Sequence, residues 1–215
     1  METIASFYKE GGAWMHPILF MSVVGLGIII ERFIFLYFKY NINAGAFMAQ
    51  ITKLVMANNV ERAQRLCDAA PSAALPRVIK AGLMRANKAP DEIQNALEEA
   101  TLEIVPIVTK RTTVLQQIAN IATLLGLLGT ILGLIAAFEA LKNPNIPADK
   151  RQSMLAGGIA MAMNTTAFGL IVAIPCLVFQ VFLTSVTKKI IDEIDQYSVK
   201  LENLLVSRLH AAGDN

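Results

Sequence analysis

Between Arg151 and Lys188 the chain carries no acid, lysine, arginine or histidine. A stretch of that length and character cannot belong to a small soluble core. It exceeds the roughly 20 residues a helix needs to cross a hydrocarbon layer of about 30 Å. Two other stretches have the same character: residues 16–38, interrupted near their end by Glu31 and Arg32, and residues 116–141, where Glu139 sits at one end. Lipid offers no hydrogen bonds, so a single-chain apolar span satisfies its backbone as a helix. Composition agrees: 54% of the 215 residues are hydrophobic, 17% are charged, and the mean hydropathy is +0.50. The expected fold is an all-α membrane protein with three transmembrane helices.

Lysine and arginine set the direction of the spans. Residues 1–15 hold only Lys9, whereas residues 39–115 hold ten basic residues, Lys39, Lys110 and Arg111 among them. The linker 142–153 has Lys142, Lys150 and Arg151, and the tail 187–215 has Lys188, Lys189, Lys200 and Arg208. This bias puts residues 1–15 outside as a short periplasmic or interfacial segment. Residues 39–115 and 187–215 then lie in the cytosol, joined by spans 16–38, 116–141 and 154–186, with 142–153 as an outer linker. No basic region and cleavage site precede the first span, so it reads as a retained anchor.

The cytosolic residues carry helical signals. "AFMAQITKLVMANN" puts Phe47, Met48, Ile51, Leu54 and Val55 on one face. "AAPSAALP" interrupts the pattern at Pro71 and Pro76. Pro90, Asp91 and Glu92 suit the first turn of a helix. From there one helix of about 50 residues, roughly 75 Å long, runs through the second span, bent at Pro106 and stopped at Asn143-Pro144. In the tail, Ile190, Ile194, Tyr197, Leu201 and Leu204 make a heptad-like seam. Two spans are therefore extended far into the cytosol, beside a helical hairpin.

Within the second span, "IATLLGLLGTILGLIAAF" places Thr123 and Thr130 seven residues apart, within about 20° on a helix. Gly126, Gly133 and Ala137 lie near that face, and Gly129 with Gly133 forms a GxxxG pair. The third span matches it with Gly158, Ala162, Thr165, Thr166, Gly169 and Ala173, to which Asn164 adds an amide. Small residues let helices approach closely in lipid. Hydroxyls and amides at membrane depth face protein or a water-filled cavity. Pro175 can kink the third span. One account of this pattern is tight helix packing with each threonine bonded to its own backbone. The sharper account is a narrow polar wall along which a helix or an ion moves. No acid or base stands mid-span in the second or third helix, so an ion path here needs an acid from a partner.

Other chemistry finds no support. Net charge is +2 without a basic cluster, which gives no nucleic-acid footprint. Cys67 and Cys176 lack partner spacing, and His16 and His210 lie near opposite ends of the chain, so no metal set or cofactor site is expected. "GLLGTILG" lacks the lysine of a phosphate loop. No nucleophile and base are paired, and the chain does not read as an enzyme.

"LLGLLGTILGLIAAF" followed by "GGIAMAMNTTAFGLIVAIP", with Glu31-Arg32 closing the first span, resembles the MotA/TolQ/ExbB proton-channel family, in particular its compact three-span ExbB/TolQ branch. The resemblance implies a ring-forming homopentamer in the bacterial inner membrane around a dimer of a single-span partner of ExbD, TolR or MotB type. The partner's Asp carries the proton past a ring of threonines, and flow down the proton motive force drives rotation. That work reaches a TonB-like or TolA-like protein, or a gliding or flagellar component. By motif position Thr130 and Thr166 match the pore threonines; Gly129, Gly133, Gly169 and Pro175 match packing and kink positions. One position departs: ExbB and TolQ commonly have Glu after "GIA", and here Met161 stands there. That departure, with Thr165 and Asn164 enriching the wall, keeps sodium coupling open beside proton coupling and weakens assignment to the standard TonB or Tol systems. A passive membrane scaffold remains a further alternative.

Overall fold

The computed structural model describes residues 2–36, 42–142 and 146–213. The inner end of the first span at Phe38, with Lys39, and the turn at Asn143 and Pro144 lie outside these residues. Among the described residues eight α-helices follow one another: α1 Glu2–Glu10, α2 Met15–Ile34, α3 Ala44–Met56, α4 Val60–Asp68, α5 Ala74–Met84, α6 Pro90–Thr109, α7 Thr112–Lys142 and α8 Ala148–Gly213. No strand occurs among the described residues. Three helical stretches are long and apolar enough to cross a membrane: Met15–Ile34, Pro90–Lys142 and Ala148–Leu209. The all-α, three-span architecture read from the sequence is present.

The chain divides into two units. The first comprises Met1–Glu31 with Arg111–Val181. Its helices expose large apolar side chains such as Phe20, Val23, Leu124, Leu127 and Val178. Water penalises such surfaces and lipid does not, which is the signature of a membrane-embedded body.

The second unit comprises Arg32–Lys110 with Phe182–Asn215. It is built like a soluble helical domain. Met48, Ile51 and Val55 of α3, Val78, Ile79 and Leu83 of α5, and Ile93, Leu97 and Ile104 of α6 are buried. Leu183, Ile190, Ile194, Leu201 and Leu205 of α8 complete the core. The buried stripe on α8 passes through Leu205, with Leu204 only half-buried, so the seam inclines by one residue from the expected one. Gly82 of α5 admits Leu97 and Leu201: a β-carbon there would lie 2.7 Å from Leu97 Cδ2 and 3.2 Å from Leu201 Cδ2. Helix starts follow local chemistry. The side-chain oxygens of Asn43 and Asn59 accept hydrogen bonds from the backbone N–H of Ala46 (3.1 Å) and Arg62 (3.3 Å), capping α3 and α4. Asn58 before the second cap has φ 57°, the left-handed turn that ends α3. Pro76 does not break the chain; it sits in the first turn of α5, where its missing N–H costs nothing.

Four residues after Pro106, where a bend is expected, the helix breaks. Pro106 lies inside α6, and its carbonyl still accepts the N–H of Lys110 at 3.0 Å. Lys110 then turns extended, with ψ 135°, and Arg111 adopts φ 65°. A proline removes its own N–H and crowds the preceding turn, not the following one. The helix therefore survives it and ends where Arg111 leaves helical space.

Cys67 of α4 is 2% exposed in the core of the second unit. Burial, then the charge of Asp68, pushes its thiol up to about 12 from the ordinary 9.0. Far less of the reactive thiolate is then present at neutral pH. Maleimide modification of Cys67, followed by peptide mass spectrometry, is expected to be much slower in the folded protein than in denaturant.

Candidate functional site

In the first unit α7 and α8 meet backbone to backbone. Ala122, Gly126, Gly129, Gly133, Ala137 and Ala140 form the buried stripe of α7. Gly158, Ala162, Thr165 and Gly169 face them from α8. The fit leaves no room for side chains. A β-carbon on Gly133 would lie 2.8 Å from the carbonyl oxygen of Gly158, and one on Gly158 would lie 2.7 Å from the carbonyl oxygen of Gly133. Further along, a β-carbon on Gly169 would meet the Ala122 carbonyl at 2.8 Å, and one on Gly126 the Thr165 carbonyl at 3.1 Å. Gly129 makes space for the Thr165 side chain, whose Oγ1 would be 2.5 Å from an added β-carbon. α2 joins this contact through Gly25, which faces Cys176 and Ile118.

The hydroxyls fall into two groups. Thr166 of α8 donates across the contact to the carbonyl of Gly126 at 3.1 Å. The other three donate to their own helices. Thr123 bonds Ala119 O (3.0 Å), Thr130 bonds Leu127 O (2.6 Å), and Thr165 bonds Met161 O (2.9 Å) and Ala162 O (3.0 Å). Thr165 is fully buried, Thr130 and Thr166 are half-buried, and Thr123 is exposed beside the glycine stripe. The contact thus brings Thr165, Thr166 and the glycines together, with Thr130 on its rim and Thr123 outside. Pro175 lies on an exposed face of α8, which continues helical past it. At the other end of α7, Arg111 Nη1 donates to both carboxylate oxygens of Glu31, at 2.5 Å to Oε2. That fork holds the left-handed Arg111 against the end of α2.

Asn164 does not point into the α7–α8 contact. Its Nδ2 donates to Glu10 Oε2 of α1 at 3.2 Å. α1 is seated on this side of α8 by aromatic edges: the Phe7 and Phe168 rings are 6.4 Å apart at 69°, and Tyr8 and Phe168 are 6.3 Å apart at 89°. Gly12, at φ +69°, turns the chain between α1 and α2 beside Met161. Glu10 is the functional candidate that sequence reading passes over. The Gly11-Gly12 pair signals a turn, but nothing local shows that the turn folds α1 onto residue 164. Among the described residues no three His, Cys, Asp or Glu side chains converge on a possible metal site.

Three apolar helices around a glycine-closed, hydroxyl-bearing contact define a multi-pass membrane protein. The model of the MotA/TolQ/ExbB proton channel family matches residues 71–196, and the chain belongs to that family. An ExbB-like biopolymer transport protein of Synechocystis sp. is 33% identical over 171 residues, 79% of either chain. The biopolymer transport protein ExbB of Aquifex aeolicus is 35% identical over 102 residues, covering 47% of this chain and 66% of that one. A chain in a structure of C. jejuni MotAB aligns over 87% of this chain and 80% of its own length, at TM-score 0.46 and 14% identity.

The glycine geometry makes a graded prediction. Gly133→Ala and Gly158→Ala force backbone apart and are expected to cost about 1–3 kcal/mol each, read as a lower Tm in detergent. Gly157, next in sequence, has nothing within 4 Å of an added β-carbon. Gly157→Ala is expected to leave the Tm unchanged or raise it slightly.

Proposed function

We propose that this chain is the ring-forming subunit of an ion-driven motor of the inner membrane. Five copies surround a dimer of a single-span protein of ExbD, TolR or MotB type. An aspartate of that partner carries the ion, because the mid-membrane stretches 118–138 and 152–187 hold no acid or base of their own. Residues 1–15 and the linker 142–153 face the periplasm, and residues 39–115 and the tail face the cytosol. The work goes to a TonB-like or TolA-like transducer; a gliding or flagellar-type load, with sodium as the ion, is the alternative. The chain needs no resident cofactor and performs no enzymatic step.

The observation that carries this reading is the α7–α8 contact itself. Across it Thr166 bonds the Gly126 carbonyl, and Thr130 lies on its rim, among glycine, alanine and aliphatic side chains of two apolar helices. A wall of that kind solvates a passing cation without trapping it, as conduction requires. One observation favours a second reading, a passive scaffold. Three of the four threonines are bonded to their own backbone, the arrangement expected if hydroxyls serve only packing.

The test is ion flux through the reconstituted complex with its partner. Thr166→Val removes one interhelical bond worth about 0.6 kcal/mol in a membrane, so assembly is expected to survive. Flux and motor output of Thr166→Val and Thr130→Val are expected to fall sharply; unchanged flux in assembled complexes would leave the scaffold. Native mass measurement of the complex is expected to give five copies of this chain and two of the partner.

A further inference from the structure

We propose that the groove between α6 and α8 in the second unit seats α5 of the next copy of this chain, a head-to-tail contact that closes the ring on its cytosolic side. The proposal rests on the ring reading above. It starts from apolar surface left in water. Between residues 42 and 110 and beyond residue 187, Met56, Met84, Leu102 and Val199 are the exposed large apolar side chains among the described residues. Two of them, Leu102 at 74% and Val199 at 57%, flank one groove of about 440 Å3, floored by Leu97 and Thr101. An apolar patch with a polar rim marks a docking surface. The rim here is acidic: Glu98 of α6, and Asp195 and Glu202 of α8. None of these three carboxylates pairs with a base among the described residues.

α5 carries the complement. Residues 74–88 hold Arg77, Lys80, Arg85 and Lys88 and no acid, whereas residues 90–103 hold five acids and no base. Arg77, Lys80, Ala81 and Met84 share one face of α5 at helical spacing. That face is exposed or half-buried, and Met84 at its end is 67% exposed. The opposite face is already committed to its own chain: Gly82 packs on Leu97 and Leu201. The stripe that carries Met84 is therefore turned outward, free for another copy. Lys80 and Arg85 hold Asp68 and Glu92 of their own chain, at 2.5 and 3.6 Å. Arg77 and Lys88 are exposed and hold no acid among the described residues. One face thus has cations to spare and the other has acids to spare, each around exposed apolar side chains. Opposite charge sets the register, and the apolar centre loses its water. A helix laid in a groove is a common way to satisfy both. Contact between unlike faces is heterologous, and repeated by rotation it closes into a ring.

The experiment uses the full-length chain with its partner in membranes. Met84→Cys and Val199→Cys are placed in one chain, oxidised, and run on a non-reducing gel; the native Cys67 and Cys176 are buried, so the wild type serves as the blank. A ladder of multimers up to the whole ring is expected. Either single variant is expected to stay monomeric, because a head-to-tail contact never brings one face to itself. Arg77→Glu with Lys88→Glu is expected to lower the ladder about tenfold, and adding Glu98→Lys with Glu202→Lys to restore it. A ring by native mass with no ladder from the double cysteine variant overturns the contact and leaves the ring reading standing. A dimer from either single variant means that like faces meet, and overturns it too. A wild type that forms no ring at all sinks the ring reading and the contact with it. Should the charge variants not fold, benzoylphenylalanine at position 199 decides. After illumination, label on α5 of a second copy supports the contact, and label on the single-span partner overturns it.

Discussion

The absence of any side chain larger than threonine from the glycine-lined contact of α7 with α8 is the constraint on which the first unit depends. In lipid, apolar helices gain nothing by hiding from solvent, so association comes from close contact and hydrogen bonding. Gly133 and Gly158 each bring their backbone to the other's carbonyl, and further along Gly126 and Gly169 approach the carbonyls of Thr165 and Ala122. This closeness lets the Thr166 hydroxyl reach a carbonyl of the neighbouring helix. It also encloses Thr165 completely. A bulkier pair at any of these levels would hold the helices apart and leave both hydroxyls to lipid.

α8 obeys two different rules along its length. As far as Val181 its buried residues are mostly small, Ala162, Thr165, Gly169, Ala173 and Cys176 with Val172; from Leu183 onward they are leucine and isoleucine, Thr187 excepted. The change follows the solvent. Around the second unit water drives burial of large side chains, at about 25 cal/mol per Å² of apolar area. Around the first unit that drive is missing, and small residues bring the backbones together instead. The helix has no break between the two regimes, even at Pro175.

Much of this was legible from the residues. Apolar length alone gave three helical spans, because lipid leaves the backbone no other choice, and periodicity gave the buried faces of α3 and the tail. Family membership was legible from the joint glycine-threonine motifs. The break between α6 and α7 was not. Proline is a visible marker, whereas a left-handed Arg111 held by Glu31, 80 residues earlier, depends on a tertiary contact. The placement of Thr123 was also hidden: seven residues from Thr130 puts it on a similar bearing, but the neighbouring helix covers a narrow strip and Thr123 falls beside it. Glu10 escaped for the same reason as Arg111. Span three carries Met161 and no acid of its own, while the Glu10 carboxylate reaches Asn164, one turn along, from a different helix.

The self-bonded threonines have an electrical meaning. A hydroxyl owns one proton and two lone pairs. Thr130 spends its proton on the carbonyl of Leu127, and Thr123 spends its own on that of Ala119. What such an oxygen can still offer a visitor is electron density alone. Chloride would find no donor there, while anything positive would find an acceptor. A neutral surface can in this way discriminate by sign, with the helix's own carbonyls fixing the polarity.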